Sequence, residues 1–426
     1  MDKKKTLLSI GLLAGCTLSW NLATGQTGSG VQSPGWHFTP PIPLFAGGLF
    51  KQPPGQPFLA VGPRGHVFVA CWDSDPATNL YDVYVRVREP HGSFGDARKV
   101  SKEGWGGTDD RSPRAAVSPS GVVVIAWKGT NGGSPGVKLS MSSDDGKTFS
   151  KGVVVSGSQV VLNLDIAFDP WEALHVNFSA ENAKGRRDLF YTRSLGARAG
   201  GGGGAPLTSI DPAEFTPIEN LTRDPERQFN AYVAADGIGN VYVPINSYTD
   251  TTPVVGELLI RNQRWSIRHR LGEFHYMGPA STSPSGLAVV PFTVTEYDPT
   301  GINTYLMRVI GGRSFLPVVR VPLLFYGGVN DGEGITVKDD GTIVAVLQTF
   351  DEDYDTFVEI LMSKDFGESW LEPFLIRSWF AGPDGYRAVG TSADLDSNDT
   401  IHIAWLGWFV EGSRGDHVLY MTARYE

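Results

Sequence analysis

The stretch Arg114-Ala-Ala-Val-Ser-Pro-Ser-Gly-Val-Val-Val-Ile-Ala-Trp127 reads as a short strand, a Pro-Ser-Gly turn and a strongly apolar second strand. Proline presets φ for such a turn and glycine accepts the positive φ that closes it. The same phrase stands earlier as Phe58-Leu-Ala-Val-Gly-Pro-Arg-Gly-His-Val-Phe-Val-Ala-Cys-Trp72. Five further copies occupy 165–178, 231–246, 281–293, 335–348 and 393–405. With Gly65, Gly121, Glu172, Gly239, Gly286, Gly341 and Asn398 as equivalent turn positions, the spacings are 56, 51, 67, 47, 55 and 57. A period of about 55 residues suits one four-stranded propeller blade with generous loops. The long third interval is absorbed by the glycine run 200–204, read as an insertion between outer strands. Seven units predict an all-β, seven-bladed β-propeller of four-stranded antiparallel blades, with a six-bladed ring as the alternative.

The last unit stops after the strand 417–425 and so lacks its outermost strand. An open blade would expose unpaired backbone groups. Residues 36–45, which precede the first unit, are expected to fill the gap and seal the ring. The propeller therefore spans 36–426 as one domain.

The remaining N-terminal residues carry an address. Lys3, Lys4 and Lys5 precede a short apolar run over residues 7–13, the pattern of an export signal rather than a membrane span. It ends in Leu13-Ala14-Gly15-Cys16, which looks like a bacterial lipobox, so residues 1–15 are expected to be removed and Cys16 lipidated. The alternative is an ordinary signal cleaved near Ala23 or Gly25. Residues 16–35 are rich in Gly, Ser, Thr and Gln, as in a solvated tether. Both readings export the protein, to the outer membrane or cell surface with a lipid anchor, to the periplasm or medium without one. With Cys16 consumed, Cys71 has no intramolecular disulfide partner.

Composition excludes several classes. A net charge of −10 leaves no dominant basic face for nucleic acid. Glycine at 52 and proline at 28 of 426 residues argue against a helical protein, and 41% apolar residues exclude wholesale disorder. No zinc spacing of Cys and His occurs, and no cofactor is expected. The run Asp351-Glu-Asp-Tyr-Asp355 offers oxygen ligands for Ca²⁺ but lacks the turn glycine of a calcium loop, so it reads as a solvated acidic loop. The expected partner is a glycan, bound by a monomer.

Two units carry a sharper motif. Ser142-Ser-Asp144-Asp-Gly146-Lys-Thr148-Phe149 and Ser363-Lys-Asp365-Phe-Gly367-Glu-Ser369-Trp370 share the pattern Ser-x-Asp-x-Gly-x-(Thr/Ser)-aromatic, the Asp box. The carboxylate can accept backbone N–H bonds across a tight turn, glycine supplies positive φ, and the aromatic packs between sheets. That role is structural, on the face opposite a ligand funnel.

On these octapeptides and the repeat, the sequence resembles the sialidase superfamily of Asp-box propellers. The resemblance implies a funnel built from loops that enter the innermost strands. In this sequence those loops hold Asp109-Asp110-Arg111-Ser-Pro-Arg114, Arg223-Asp224-Pro-Glu226-Arg227, Glu273-Phe-His275-Tyr276, Asn330-Asp331-Gly-Glu333 and Asp384-Gly-Tyr386-Arg387. Arg114, Arg227 and Arg387 are read at comparable positions in three blades, as an arginine trio that would grip a substrate carboxylate. The resemblance further implies a tyrosine nucleophile, for which Tyr386 stands first and Tyr276 second. Glu226 or Glu333 would be its base, and Asp110 or Asp109 the acid. The competing structural reading is a solvated rim of paired charges. A polysaccharide lyase would instead use His275 or Tyr276 as base on a uronate. Trp72, Trp127, Trp405 and Trp408, at second-strand ends, are candidates for sugar stacking, against the alternative that they fill gaps between blades.

Overall fold

The computed structural model describes residues 35–45, 55–74, 80–101, 110–129, 135–182, 185–195, 207–222, 227–228, 230–248, 254–262, 264–273, 275–295, 302–324, 326–327, 334–350, 356–378, 390–407 and 417–426. They form seven antiparallel sheets and a single 3-10 turn, Pro212–Glu214. Blades 1 to 6 cover 58–99, 110–154, 161–220, 227–273, 275–320 and 326–378, and blade 7 covers 391–425. In blade 2 the strands Asp110–Val117, Val123–Gly129, Gly136–Ser142 and Val153–Val154 bond in chain order from the axis outward. The innermost strands neighbour one another from blade 1 to blade 7 and back to blade 1, so the ring is closed. Seven apolar clusters hold it, most of them between adjacent blades, with second and third strands supplying nearly every fully buried side chain.

The closure is made as the sequence requires. Trp36–Phe38 lies outermost on blade 7, with Trp36 opposite Tyr425 and Phe38 opposite Ala423. Ile42–Phe45 continues along the same strand, Ile42 opposite Tyr420.

Each blade turns from its first to its second strand through the same hairpin. A residue of positive φ, Gly65, Gly121, Glu172, Gly239, Gly286, Gly341 or Asp399, donates its N–H to the carbonyl three residues before it. This is the three-residue loop whose αL position favours glycine. In blade 7 that seat belongs to Asp399, one residue beyond the expected Asn398. The Asp396 carboxylate fixes the register by accepting from Asn398 N at 2.8 Å and Thr400 N at 2.9 Å.

Several interblade devices recur at an offset of four blades. In blades 3 and 7 the αL seat is acidic and reaches back to the previous hairpin: Glu172 accepts from Ser120 N at 2.7 Å, and Asp399 pairs with Lys338. Both blades also bury an Asp–His–Tyr relay. His175 lies 2.6 Å from Tyr191 Oη and 3.4 Å from Asp169; His402 lies 2.5 Å from Tyr420 Oη and 3.4 Å from Asp396. In each case an arginine of the next blade covers the tyrosine ring, Arg261 over Tyr191 and Arg88 over Tyr420. An aromatic meets the same ring edge-on, Trp265 and Phe94 respectively.

The relays have a pH signature. Burial pushes the His402 imidazole down to about 4, with Asp396 opposing and Arg88 adding, and burial also lowers His175. A histidine depressed below its unfolded value of 6.5 contributes stability that is complete above pH 6.5 and is lost as pH falls toward 4. Urea denaturation is expected to record a loss of about 3 kcal/mol from His402 across that window, and His402→Phe to flatten the slope while lowering stability at pH 7. An equal slope in the variant would refute the assignment.

Antiparallel chain order sorts the connections between two faces. First-to-second and third-to-fourth turns share one face; second-to-third connections and the entries to innermost strands share the other. The two Asp-box octapeptides are third-to-fourth turns, remote from the funnel. Ser142 Oγ donates to Asp144 at 2.7 Å, and Thr148 gives its N–H and hydroxyl to the same carboxylate at 2.8 and 2.6 Å. Slight burial opposes ionisation, but these bonds hold the Asp144 carboxyl down at about 2. Asp365 repeats the pattern with Ser363 and Ser369 at 2.9, 2.8 and 2.5 Å. Phe149 packs in the cluster between blades 1 and 2, and Trp370 in that of blades 5 and 6. A guanidinium from the preceding blade grips each turn, Arg98 on the Gly146 carbonyl and Arg308 on the Phe366 carbonyl at 2.7 Å.

Candidate functional site

The funnel face is set by the ends of the innermost strands at which the chain enters each blade. Arg114 leaves the innermost strand of blade 2 with its guanidinium 5.0 Å from the Phe58 ring of blade 1 and Nε 3.7 Å from Asp165 of blade 3. Innermost strands are sheet edges whose outward N–H groups lack ladder partners. Asp165 supplies one, accepting from Val233 N of blade 4 at 3.0 Å. Ser392 Oγ of blade 7 accepts from Leu59 N of blade 1 at 2.9 Å, at the register-equivalent place. Asp394 adds a second latch at that seam, accepting from Val61 N at 2.9 Å. Burial pushes the Asp394 carboxyl up to about 6 against the effect of that bond. Asp394 stands two residues before the first-to-second hairpin of blade 7, at the end of the strand away from the funnel, and sequence spacing did not single it out.

The sequence candidates divide. Tyr386, Arg387, Glu226, Glu333, Asp109, Trp408 and Cys16 lie outside the described residues, as does the acidic run 351–355. Arg227 is described in its backbone, on Arg227–Gln228. Its register corrects the expectation of an equivalent arginine trio. Arg114 pairs with Ala126, five residues past the blade 2 turn glycine, whereas Arg227 pairs with Tyr248, nine past that of blade 4. Four strand residues are about 13 Å along the axis.

Asp110 does not stand free in the funnel. It is buried against Lys138, whose Nζ donates to Oδ1 at 2.8 Å, with side-chain exposures of 3% and 0%. Gly129 makes room for this pair, since a Cβ there would fall 2.6 Å from Lys138 Cε. A carboxylate sealed beneath the rim on a lysine has no path to a leaving group, so the acid role does not suit it. His275 and Tyr276 lie within a strand, His275–Met277, opposite Val294 and Thr293. Adjacent strand residues face opposite sides, which rules out their acting together from a loop. His275 stacks 5.7 Å from Phe292.

Of the tryptophans, Trp127 and Trp405 are 0% and 1% exposed and fill apolar clusters between blades. They offer no face to a sugar, which corrects the stacking expectation for both. Trp72 is half-buried. It meets the Tyr81 ring edge-on at 4.5 Å, and the Gly55 backbone passes so close that a Cβ would overlap the indole. Arg111 lies over both rings, 4.2 Å from Tyr81 and 5.4 Å from Trp72. Among the described residues no group of three or more His, Cys, Asp or Glu could hold a metal ion.

A closed ring of seven four-stranded blades with a polar funnel defines a seven-bladed β-propeller. The α-L-arabinofuranosidase Arb93A of Fusarium graminearum, solved with an iminosugar inhibitor, is similar with a TM-score of 0.54 and 12% identity, covering 90% of this chain and 97% of that one. The Hadza microbial sialidase Hz136 gives 0.52 and 12%, over 90% and 68% of the two chains. A Dyadobacter fermentans protein of unknown function gives 0.52 and 10%, over 92% and 100%. Such identities establish a shared fold, not a shared chemistry. The chain matches no protein-family model and no curated protein.

Proposed function

We propose that this protein is an exported, carbohydrate-active propeller, anchored through Cys16, whose funnel hydrolyses an anionic glycan by a sialidase-like route. The observation that carries the reading is the fold shared over nine tenths of the chain with a sialidase and an arabinofuranosidase. The two Asp-box turns and Arg114 on the channel wall support it. In this reading Arg387 and Arg114 bind the substrate carboxylate, because the guanidinium fork matches carboxylate geometry. Tyr386 attacks the anomeric carbon as the bond to the leaving-group oxygen breaks, Glu226 or Glu333 takes the phenol proton, Asp109 in place of Asp110 protonates the departing oxygen, and water then hydrolyses the glycosyl-tyrosine to release the sugar. A neutral nucleophile avoids repulsion by the substrate's charge.

One observation favours a second reading, a non-catalytic glycan-binding propeller. Sialidases usually carry six blades and an N-terminal Phe-Arg-Ile-Pro motif, and this chain has seven blades and no such tetrapeptide.

Product release by the soluble protein from residue 24 onward, scanned over sialosides and uronate-containing polysaccharides, tests both. Free sugar abolished by Tyr386→Phe and by Arg387→Ala supports hydrolysis. An unsaturated uronate absorbance would move the chemistry to elimination. Binding without product would leave recognition alone.

A further inference from the structure

The described chain enters and leaves the ring at one point of the turn face, the face opposite the funnel. Trp36 lies opposite Tyr425, where the third strand of blade 7 ends, and Gly35 O accepts from Glu426 N at 2.8 Å. A Cβ at Gly35 would fall 2.7 Å from the Tyr425 ring, so glycine lets the chain pass close over it. Nineteen residues lead from Cys16 to that point. A flexible coil of that length reaches about 24 Å on average. Climbing the outer strand 36–45 to the funnel face would by itself take about 30 Å.

An apolar arc starts beside this exit. Lys364 Nζ lies 4.9 Å from the Tyr425 ring, and Phe366, two residues on in the same Asp-box turn, is 38% exposed. In blade 2 the equivalent seat holds Asp145 at φ 58°, an ordinary αL residue, paired with Arg64 at 2.8 Å. Phe366 takes that seat at φ 61°, where a bulky side chain is strained. A strained and exposed phenyl ring weakens the turn that carries it, which points to a use at the surface. Beside this turn, Asp339 of the blade 6 hairpin accepts from Ser285 N of the blade 5 hairpin at 2.7 Å. Gly311 N donates to Gly286 O at 2.8 Å, which sets Ile310, 44% exposed, against the blade 5 hairpin. Ile238 of the blade 4 hairpin, 51% exposed, reaches the same glycine, where a Cβ would fall 2.7 Å from its Cδ1. One exposed apolar side chain per blade thus runs from the chain's exit through blades 6, 5 and 4. Among the described residues, the turns of blades 7, 1 and 2 on this face carry no exposed Ile, Leu, Val or Phe.

We propose that the turn face of blades 4 to 6, through Ile238, Ile310 and Phe366, rests on the bilayer that holds the Cys16 lipid, so that the funnel opens away from the membrane. Insertion is by apolar contact, so a zwitterionic bilayer suffices. The proposal rests on the lipid-anchored part of the reading above and is independent of the chemistry in the funnel.

The test puts the full lipidated chain in phosphatidylcholine vesicles that carry nitroxide lipid, with a fluorophore introduced through Arg313→Cys on the turn face or Val160→Cys at the entry to the innermost strand of blade 3. Cys71 is buried, and the lipid blocks Cys16, so the label goes to the new thiol. Strong quenching at 313 and none at 160 is expected. Ile238→Ser, Ile310→Ser and Phe366→Asn together should lower the docked-to-free ratio read from that quenching about tenfold. Phe366→Asn alone, which suits the αL seat, should give part of the loss with the fold intact by near-ultraviolet circular dichroism. A lipidated chain with no quenching at 313, or with quenching that neither variant changes, would overturn the docking face while leaving the anchor intact. A dimer that the triple variant splits would give the face to a second copy and overturn the proposal. An N-terminal peptide whose mass shows no lipid would overturn the anchored reading and the proposal together.

Discussion

Trp36→Ala is expected to lower the unfolding free energy by about 3–5 kcal/mol, the usual cost of truncating a buried tryptophan. Trp36 is 2% exposed, lies 5.7 Å from Phe38 and meets Tyr425 edge-on at 5.2 Å. It is thus the apolar clasp of the strand that completes blade 7. Its indole N–H has no hydrogen-bond partner among the described residues, so Trp36→Phe should keep most of the stability. A form beginning at residue 46 would lose the strand entirely and leave His417–Tyr425 as an uncovered edge, an invitation to pair with another copy. Urea denaturation and light scattering measure the two effects. A monomeric, undiminished protein without residues 36–45 would show that the ring closes by other means.

Lys138→Met should cost a similar amount, about 3–5 kcal/mol, because it removes the cation from a carboxylate, Asp110, that is 3% exposed. The double variant Asp110→Leu with Lys138→Met removes both charges and should recover most of that loss, since a buried pair rarely outperforms well-packed apolar groups. A double-mutant cycle reads the coupling. Additive losses would mean that the 2.8 Å contact carries no energy of its own.

The architecture was readable because its signal is local and repeated. A Gly-containing turn followed by an apolar second strand recurs seven times, and the missing outer strand of the last blade pointed to residues 36–45. The site was harder to read, for reasons that particular residues make plain. Trp127 and Trp72 both end second strands, yet one is sealed between blades and the other reaches the rim; which face a strand end presents depends on neighbouring blades that the sequence does not order. Arg114 and Arg227 look alike when counted along the chain, but the Ser112 bulge and the interrupted first strand of blade 4 set them at different heights. The relays went unseen because the tyrosine of each comes from a different strand than its histidine, and the arginine that covers it from the next blade. A signal did exist: Asp169 with His175, and Asp396 with His402, share a six-residue step at the same phase of the repeat. Tyr386 and Arg387, on which the hydrolytic reading leans most, lie outside the described residues.

The four-blade offset has an arithmetic consequence. Eight places would let one half of the ring superpose on the other, and the molecule has seven. Blade 1 therefore serves twice: its Arg98 grips the turn of blade 2, and its Arg88 covers the tyrosine of blade 7. No rotation carries such a wheel onto itself, and its hub cannot present equivalent seats to a ligand. A pattern written in even measure on an odd ring is obliged to be lopsided at the centre.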